Sequence, residues 1–414
     1  MRDATELEPD MMAALARLSV RVGLNLQPDQ ELVMTAPTAA LPLARAIAAE
    51  AYSAGARLVT PILSDGDIAR ARYAHGHDAG FDHAPAWLYD GMAQAYENGA
   101  ARLALVGEDP FLLSDQDSAR VGRANRANAA AYRPALMHIS DFRINWSIMA
   151  CPTPAWAARI FPDLPPAEAL ARLAQSIAQT ARIDQEDPVA AWSAHNAALA
   201  KRCEVLNAAR FDALQFSGQG TDLRIGLAEG HFWQGGASRA RNGVTCNPNI
   251  PTEEVFTTPH AGKVDGVVRA TKPLSHQGTL IEGIEMRFEA GRAVEARAAR
   301  GQDVLSQMIA TDEGAARLGE VALVPHSSPV SQCGHLFYNT LFDENAASHI
   351  AMGQCYASCL EGSDLTPEDI AARGGNKSLI HVDWMIGDGR TDVDGMRADM
   401  DPVPLMRKGE WVIG

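Results

Sequence analysis

Apolar residues recur along residues 11–150 with two alternating patterns. LARLSVRVGL and LPLARAIAAEAYSAGA space them as one face of a helix requires, and the second run stops at Gly55. Between such runs stand short apolar stretches: ELVMTAP, ended by Pro37, then RLVTPIL and ARLALVGED. WLYDGMAQAYENGA supplies a further helix, closed by Gly99. Strand and helix in regular succession predict a parallel sheet covered by helices. No GxGxxG or Walker pattern follows these strands, so nucleotide binding has no support. The region reads as scaffold and as a wall of a substrate chamber.

Residues 152–210 read as helical. An amphipathic helix runs from Pro166, and a second opens with Asp187 as N-cap and Pro188 at its first position. His195 falls inside that second helix, where a lone histidine reads as a surface or packing residue. From residue 211 the pattern changes to strands with glycine-containing turns: DALQFSG, TDLRIGLAEG, VDGVVRATKPL and TLIEGIEMRFEAGRAVEARA. The expected fold is α/β plus α+β. An N-terminal domain over 1–210 carries a parallel sheet and bridging helices, and a C-terminal domain over 211–414 carries antiparallel strands and the chemistry.

Composition narrows the function classes. The formal net charge is −15 with the acidic residues dispersed, which argues against nucleic acid or an anionic membrane surface as partner. No stretch approaches about 18 uninterrupted apolar residues. The start, MRDATELEPDMMAAL, lacks the basic-then-apolar order of a signal peptide. The six cysteines are scattered over a long chain and read as free thiols of a reducing cytoplasm. Cys355 and Cys359 have helical spacing and read as small core residues.

Groups that bind hard or borderline metals gather in the last third. FDENAASHIAMGQCYASCL, residues 342–360, supports a helix capped by Asp343 or Asn345, with His349 and Tyr356 on one face and Glu344 just before it. SLIHVDWMIG reads as a strand with Ile380, Val382 and Trp384 on one side and His381 and Asp383 on the other. Two ionisable groups on an otherwise apolar strand are costly to bury unless paired or metal-bound. GEVALVP is a strand opened by Glu320, and NIPTEEVFTTPH carries the adjacent pair Glu253 and Glu254. Oxygen and imidazole ligands without thiolates suit Zn, Co, Mn or Mg. So many ligands favour two ions bridged by a carboxylate.

NIPTEEVFTTPH, GEVALVP, LFDENAASHIAMGQCY and HVDWMIG resemble the aminopeptidase T / aminopeptidase S family of metallopeptidases, and GLNLQPDQELVMTAP, GTDL and PLMRKGEWVIG extend the likeness through the chain. The resemblance implies metal ligands at Glu254, Glu320, His349, His381 and Asp383, with Glu344 as a sixth, and a catalytic tyrosine at Tyr356. Glu320 is the expected bridge and Glu253 the expected base. It further implies two divalent ions (Zn, Co or Mn), peptide substrates with a free N-terminus, and a cytoplasmic homodimer. The ligand set alone also admits a two-metal amidase or esterase acting on another small amide, and a non-enzymatic metal-containing binding protein.

Overall fold

The computed structural model describes residues 8–276, 278–362, 365–398 and 400–413. Residues 1–7, the head of the acidic N-terminal stretch, lie outside them. The chain divides into two compact units, Met1–Ala194 with Ala237–Pro251, and His195–Gly236 with Thr252–Gly414.

The first unit holds the parallel sheet that the alternation predicts. Strands β1 (Glu31–Pro37), β2 (Leu58–Ser64), β3 (Ala101–Val106) and β4 (Trp146–Ala150) lie in the order β2-β1-β3-β4, and Asn249–Ile250 adds a fifth parallel strand beside β4. Helices Leu41–Ser53, Ala86–Glu97 and Ser118–Ser140 separate the strands in sequence. Central strands β1 and β3 read as near-continuous apolar runs because a parallel sheet is covered on both faces, and Leu32, Met34, Leu103 and Leu105 are buried accordingly. Asp187 caps the Pro188–Ala209 helix, its carboxylate accepting from the backbone of Val189 and Ala190.

The second unit is mainly antiparallel. An eight-stranded sheet runs in the spatial order Arg292–Arg297, Glu285–Glu289, Pro259–Arg269, Thr221–Leu227, Ala213–Gly218, Asp392–Met396, Val403–Arg407, Glu410–Trp411. A four-stranded antiparallel sheet stands with it, built from β5 (Val255–Thr257), β6 (Leu318–Leu323), β7 (His349–Gly353) and β8 (His381–Met385), in that order. One face of this smaller sheet sends Val255, Val321, Leu323, Ile350, Met352 and Trp384 into the unit's main hydrophobic core. Side chains alternate along a strand, so the other face is left to the residues between them.

One expectation is corrected here. Residues 342–360 do not form a helix: a short helix, Thr340–Asp343, and a 3₁₀ turn, Glu344–Ala346, lead into strand β7, and a second 3₁₀ turn covers Ala357–Cys359. Asn339, rather than Asp343 or Asn345, caps the short helix, accepting from Leu341 N–H at 3.1 Å. Every residue of β7 is buried, and a strand buried on both faces shows no alternation to distinguish it from a buried helix. Gly353 ends the segment at φ +106°, and a Cβ there would come within 2.1 Å of the Ile380 carbonyl oxygen. Only glycine allows β7 and the approach to β8 to meet so closely.

Candidate metal centre

The face of the small sheet turned away from the core carries the ionisable groups. Glu320 on β6 is level with Ala351 on β7, and Ala351 with Asp383 on β8. His349 and Ala351 are two residues apart on β7, as are His381 and Asp383 on β8, so all four project from that face. The methyl of Ala351 leaves the row between Glu320 and Asp383 open. A bulge at Gly319 breaks the β6 register just before Glu320, and a Cβ at Gly319 would fall 2.2 Å from the Gln354 carbonyl oxygen. Glu254 joins from the residue before β5.

These side chains form two groups that share one member. Ligand atoms of Glu254, Glu320 and His349 lie within 4.8 Å of one another, and so do those of Glu320, His381 and Asp383. Glu320 turns one oxygen towards each histidine: Oε1 is 4.0 Å from His349 Nε2, and Oε2 is 3.1 Å from His381 Nε2. Glu254 Oε2 is 3.1 Å from His349 Nε2, and Asp383 Oδ1 is 3.4 Å from His381 Nε2.

Both imidazoles are oriented by their other nitrogen. His349 Nδ1 is 3.0 Å from the Ala347 carbonyl oxygen and His381 Nδ1 is 2.7 Å from that of Gln354. A carbonyl only accepts, so each Nδ1 carries a proton and donates it. In the neutral ring this leaves Nε2 as a lone pair aimed into the carboxylates, the arrangement seen when histidine binds a metal and donates its second N–H to the backbone.

The electrostatics favour a cation. Burial opposes charge on His349, but the hydrogen bond and charge of Glu254, with Asp383 and Glu320 behind them, hold its pKa up at about 10. Burial likewise opposes charge on His381, and Asp383 and Glu320 raise it well above the ordinary value. Burial, then the charges of Asp383 and Glu254, push Glu320 up to about 7 against the pull of His381. A field that holds protons this firmly also attracts other cations. Buried carboxylates, two oriented imidazoles and no thiolate are therefore a donor set that fits divalent ions.

Glu344 falls in neither ligand group, but it is close enough that burial and then Glu254, Asp383 and Glu320 push its carboxyl well above the usual range. Tyr356 follows β7 in a loop rather than standing two helical turns from His349. Its ring lies 4.7 Å from that of His381 and 5.9 Å, edge-on, from that of Phe256, and its carbonyl accepts from Thr258 Oγ1 at 3.0 Å. Burial and the charges of Glu320, Asp383, Glu344 and Glu254 all raise its phenol, so it stays a donor.

Glu253 departs from the cluster. It is buried, and its Oε2 is 3.7 Å from His195 Nε2. His195, read as a surface or packing residue, thus meets Thr252, 57 positions away in the chain, and stands beside Glu253. No local signal in a helix marks such a contact. Arg269, by contrast, pairs with Glu285 at 3.5 Å on the surface, as a strand-end charge does.

Known proteins resemble this chain along nearly its whole length. Residues 9–411 match the family described as thermophilic metalloprotease (M29). Aminopeptidase T of Thermus thermophilus is 55% identical over 399 residues, 96% of this chain and 98% of that protein. Aminopeptidase 2 of Geobacillus stearothermophilus is 44% identical over 400 residues, 96% of each chain. The solved structure of wild-type AmpT from Thermus thermophilus matches with a TM-score of 0.93 at 53% identity, covering 97% of this chain and 99% of that one. The combination of a parallel N-terminal sheet and an antiparallel C-terminal part is thus that of a solved fold.

Proposed function

Because the chain belongs to the thermophilic metalloprotease (M29) family, we propose that it is an aminopeptidase that releases the N-terminal residue of peptides with the help of two divalent cations. Membership itself makes it a metal-dependent peptide-bond hydrolase. The observation that carries the finer reading is the sharing of Glu320 between two ligand groups, each with its own histidine. Glu254 and His349 would hold one ion, His381 and Asp383 the other, with Glu320 between them and Glu344 alongside. Cations in this position supply electrophilic polarisation of the scissile carbonyl and lower the pKa of water to near neutrality.

The chain's own groups supply the rest. Tyr356, kept protonated, donates to the carbonyl oxygen as negative charge develops there. Glu253 takes the proton of the attacking water and returns it to the leaving amine. The acidic surroundings receive the substrate's α-ammonium group, which an internal peptide bond lacks, and this favours exopeptidase over endopeptidase action. The same reading makes the enzyme a cytoplasmic homodimer acting on peptides with a free N-terminus. Among the described residues no helix is long and apolar enough to cross a membrane.

The test pairs metal removal with a substrate panel. Exhaustive chelation abolishes hydrolysis of aminoacyl-p-nitroanilides, and Zn, Co or Mn restores it. N-acetylated analogues are cleaved poorly by the restored enzyme. Full activity after metal removal, or preference for the acetylated substrates, refutes the reading.

A further inference from the structure

The peptide unit joining Thr252 to Glu253 is held at both of its polar ends. Its carbonyl oxygen, on Thr252, lies 2.8 Å from His195 Nε2. Its N–H, on Glu253, donates to Asn345 Oδ1 at 2.7 Å. The carbonyl only accepts, so His195 Nε2 carries the proton and donates it. Asn345 is itself fully buried and anchored, donating to the Leu341 carbonyl at 3.0 Å and accepting on its own carbonyl from Ser328 Oγ at 3.0 Å. His195 comes from the long Pro188–Ala209 helix and keeps only 11% of its side chain accessible.

This clamp sits where two adjacent carboxylates must part. Glu254 reaches His349 at 3.1 Å, while Glu253 turns its carboxylate to the His195 side, 3.7 Å from Nε2 and too far for a hydrogen bond. The two bonds fix the orientation of the peptide plane from which the Glu253 side chain departs. Arg202 lies seven residues beyond His195, hence on the same face of the helix. Its charge interacts with that of Glu253, and its guanidinium rests over the Trp411 ring at 5.3 Å. One helix face thus presents a donor to the Thr252 carbonyl and a positive charge to the Glu253 side chain.

We propose that His195 is a positioning residue for the reaction: by donating to the Thr252 carbonyl it fixes the peptide unit that aims Glu253 as proton carrier and leaves Glu254 to the metal centre. The proposal rests on the reading of Glu253 given above. A proton carrier misplaced by about 1 Å loses up to about 10²-fold in rate, so the donor matters although it touches no reacting atom.

The experiment compares His195→Leu, His195→Gln, Glu253→Gln and the double variant His195→Leu with Glu253→Gln. For each, kcat and KM on leucine p-nitroanilide, bound metal and Tm are measured on the metal-loaded full chain. His195→Leu, which fills the space without a donor, lowers kcat by about tenfold or more, with KM and metal content unchanged. His195→Gln restores kcat to within about threefold, because its amide nitrogen takes the place of Nε2. The double variant is no slower than Glu253→Gln alone, since both act through one group. If His195→Leu does not fold, His195→Ala makes the same comparison.

An unimpaired His195→Leu beside an impaired Glu253→Gln overturns the proposal alone. So does a glutamine variant as slow as the leucine one, or a double variant showing the full product of both losses. A fully active Glu253→Gln removes Glu253 from the reaction and the proposal with it.

Discussion

Replacing Glu320 by glutamine tests the shared carboxylate at the lowest steric cost, because the two side chains have the same shape. In the native site each oxygen of Glu320 faces a different histidine, at 4.0 and 3.1 Å. At an effective dielectric constant near 20, the half-charge on one carboxylate oxygen about 4 Å from a divalent ion contributes about 4 kcal/mol. If relaxation and solvent recover half of that, about 2 kcal/mol is lost at each ion, or about 30-fold in Kd. Titration with Zn or Co against a chromophoric chelator then shows both affinities weakened by one substitution. Glu254→Gln and Asp383→Asn serve as comparisons, since each belongs to a single ligand group and weakens one ion predominantly. If Glu320→Gln weakens only one site, or neither, while Tm shows it folded, the idea of a bridging carboxylate is wrong.

Other outcomes follow from the same geometry. Tyr356→Phe retains its metal and loses roughly 10²-fold or more in kcat, the range for loss of one oxyanion donor; an unchanged kcat removes the phenol from the reaction. Glu253→Gln retains full metal content while Glu254→Gln loses it, which metal analysis of the two purified variants decides. Gly353→Ala adds strain of about 1–3 kcal/mol from its positive φ, besides a clash with the Ile380 carbonyl; urea unfolding of the variant reads the loss, and native stability contradicts the account of that turn. Trp384→Ala empties a fully buried core position on the back of the site sheet and costs about 3–5 kcal/mol, with metal affinity falling as the sheet loosens; a smaller loss than about 1 kcal/mol in urea contradicts that packing.

Much of this site is legible in the sequence, and the exceptions have physical reasons. The common side of His381 and Asp383 is legible because polar and apolar residues alternate from His381 to Trp384 along β8, and the strand bearing Glu320 because it is apolar up to Leu323. The segment around His349 misleads because β7 is buried throughout, and alanines such as Ala346, Ala347 and Ala351 suit a helix as well as a tight strand. Its true conformation is set by β6 and β8 on either side, which no local pattern reveals. Tyr356 was expected near His349 through helical spacing; its ring instead rests against His381, a neighbour supplied by strand pairing. His195 and Asn345 gain their significance only from the peptide unit they grip. Sequence spacing carries no trace of a contact between a helix and a loop 57 residues apart.

Crystals of the metal-loaded protein, measured at wavelengths on both sides of the zinc or cobalt absorption edge, give the most direct test of the two-cation reading. The account predicts two anomalous peaks about 3.5–4 Å apart, one among Glu254, Glu320 and His349 and the other among Glu320, His381 and Asp383. A single peak, or peaks away from Glu320, would contradict it.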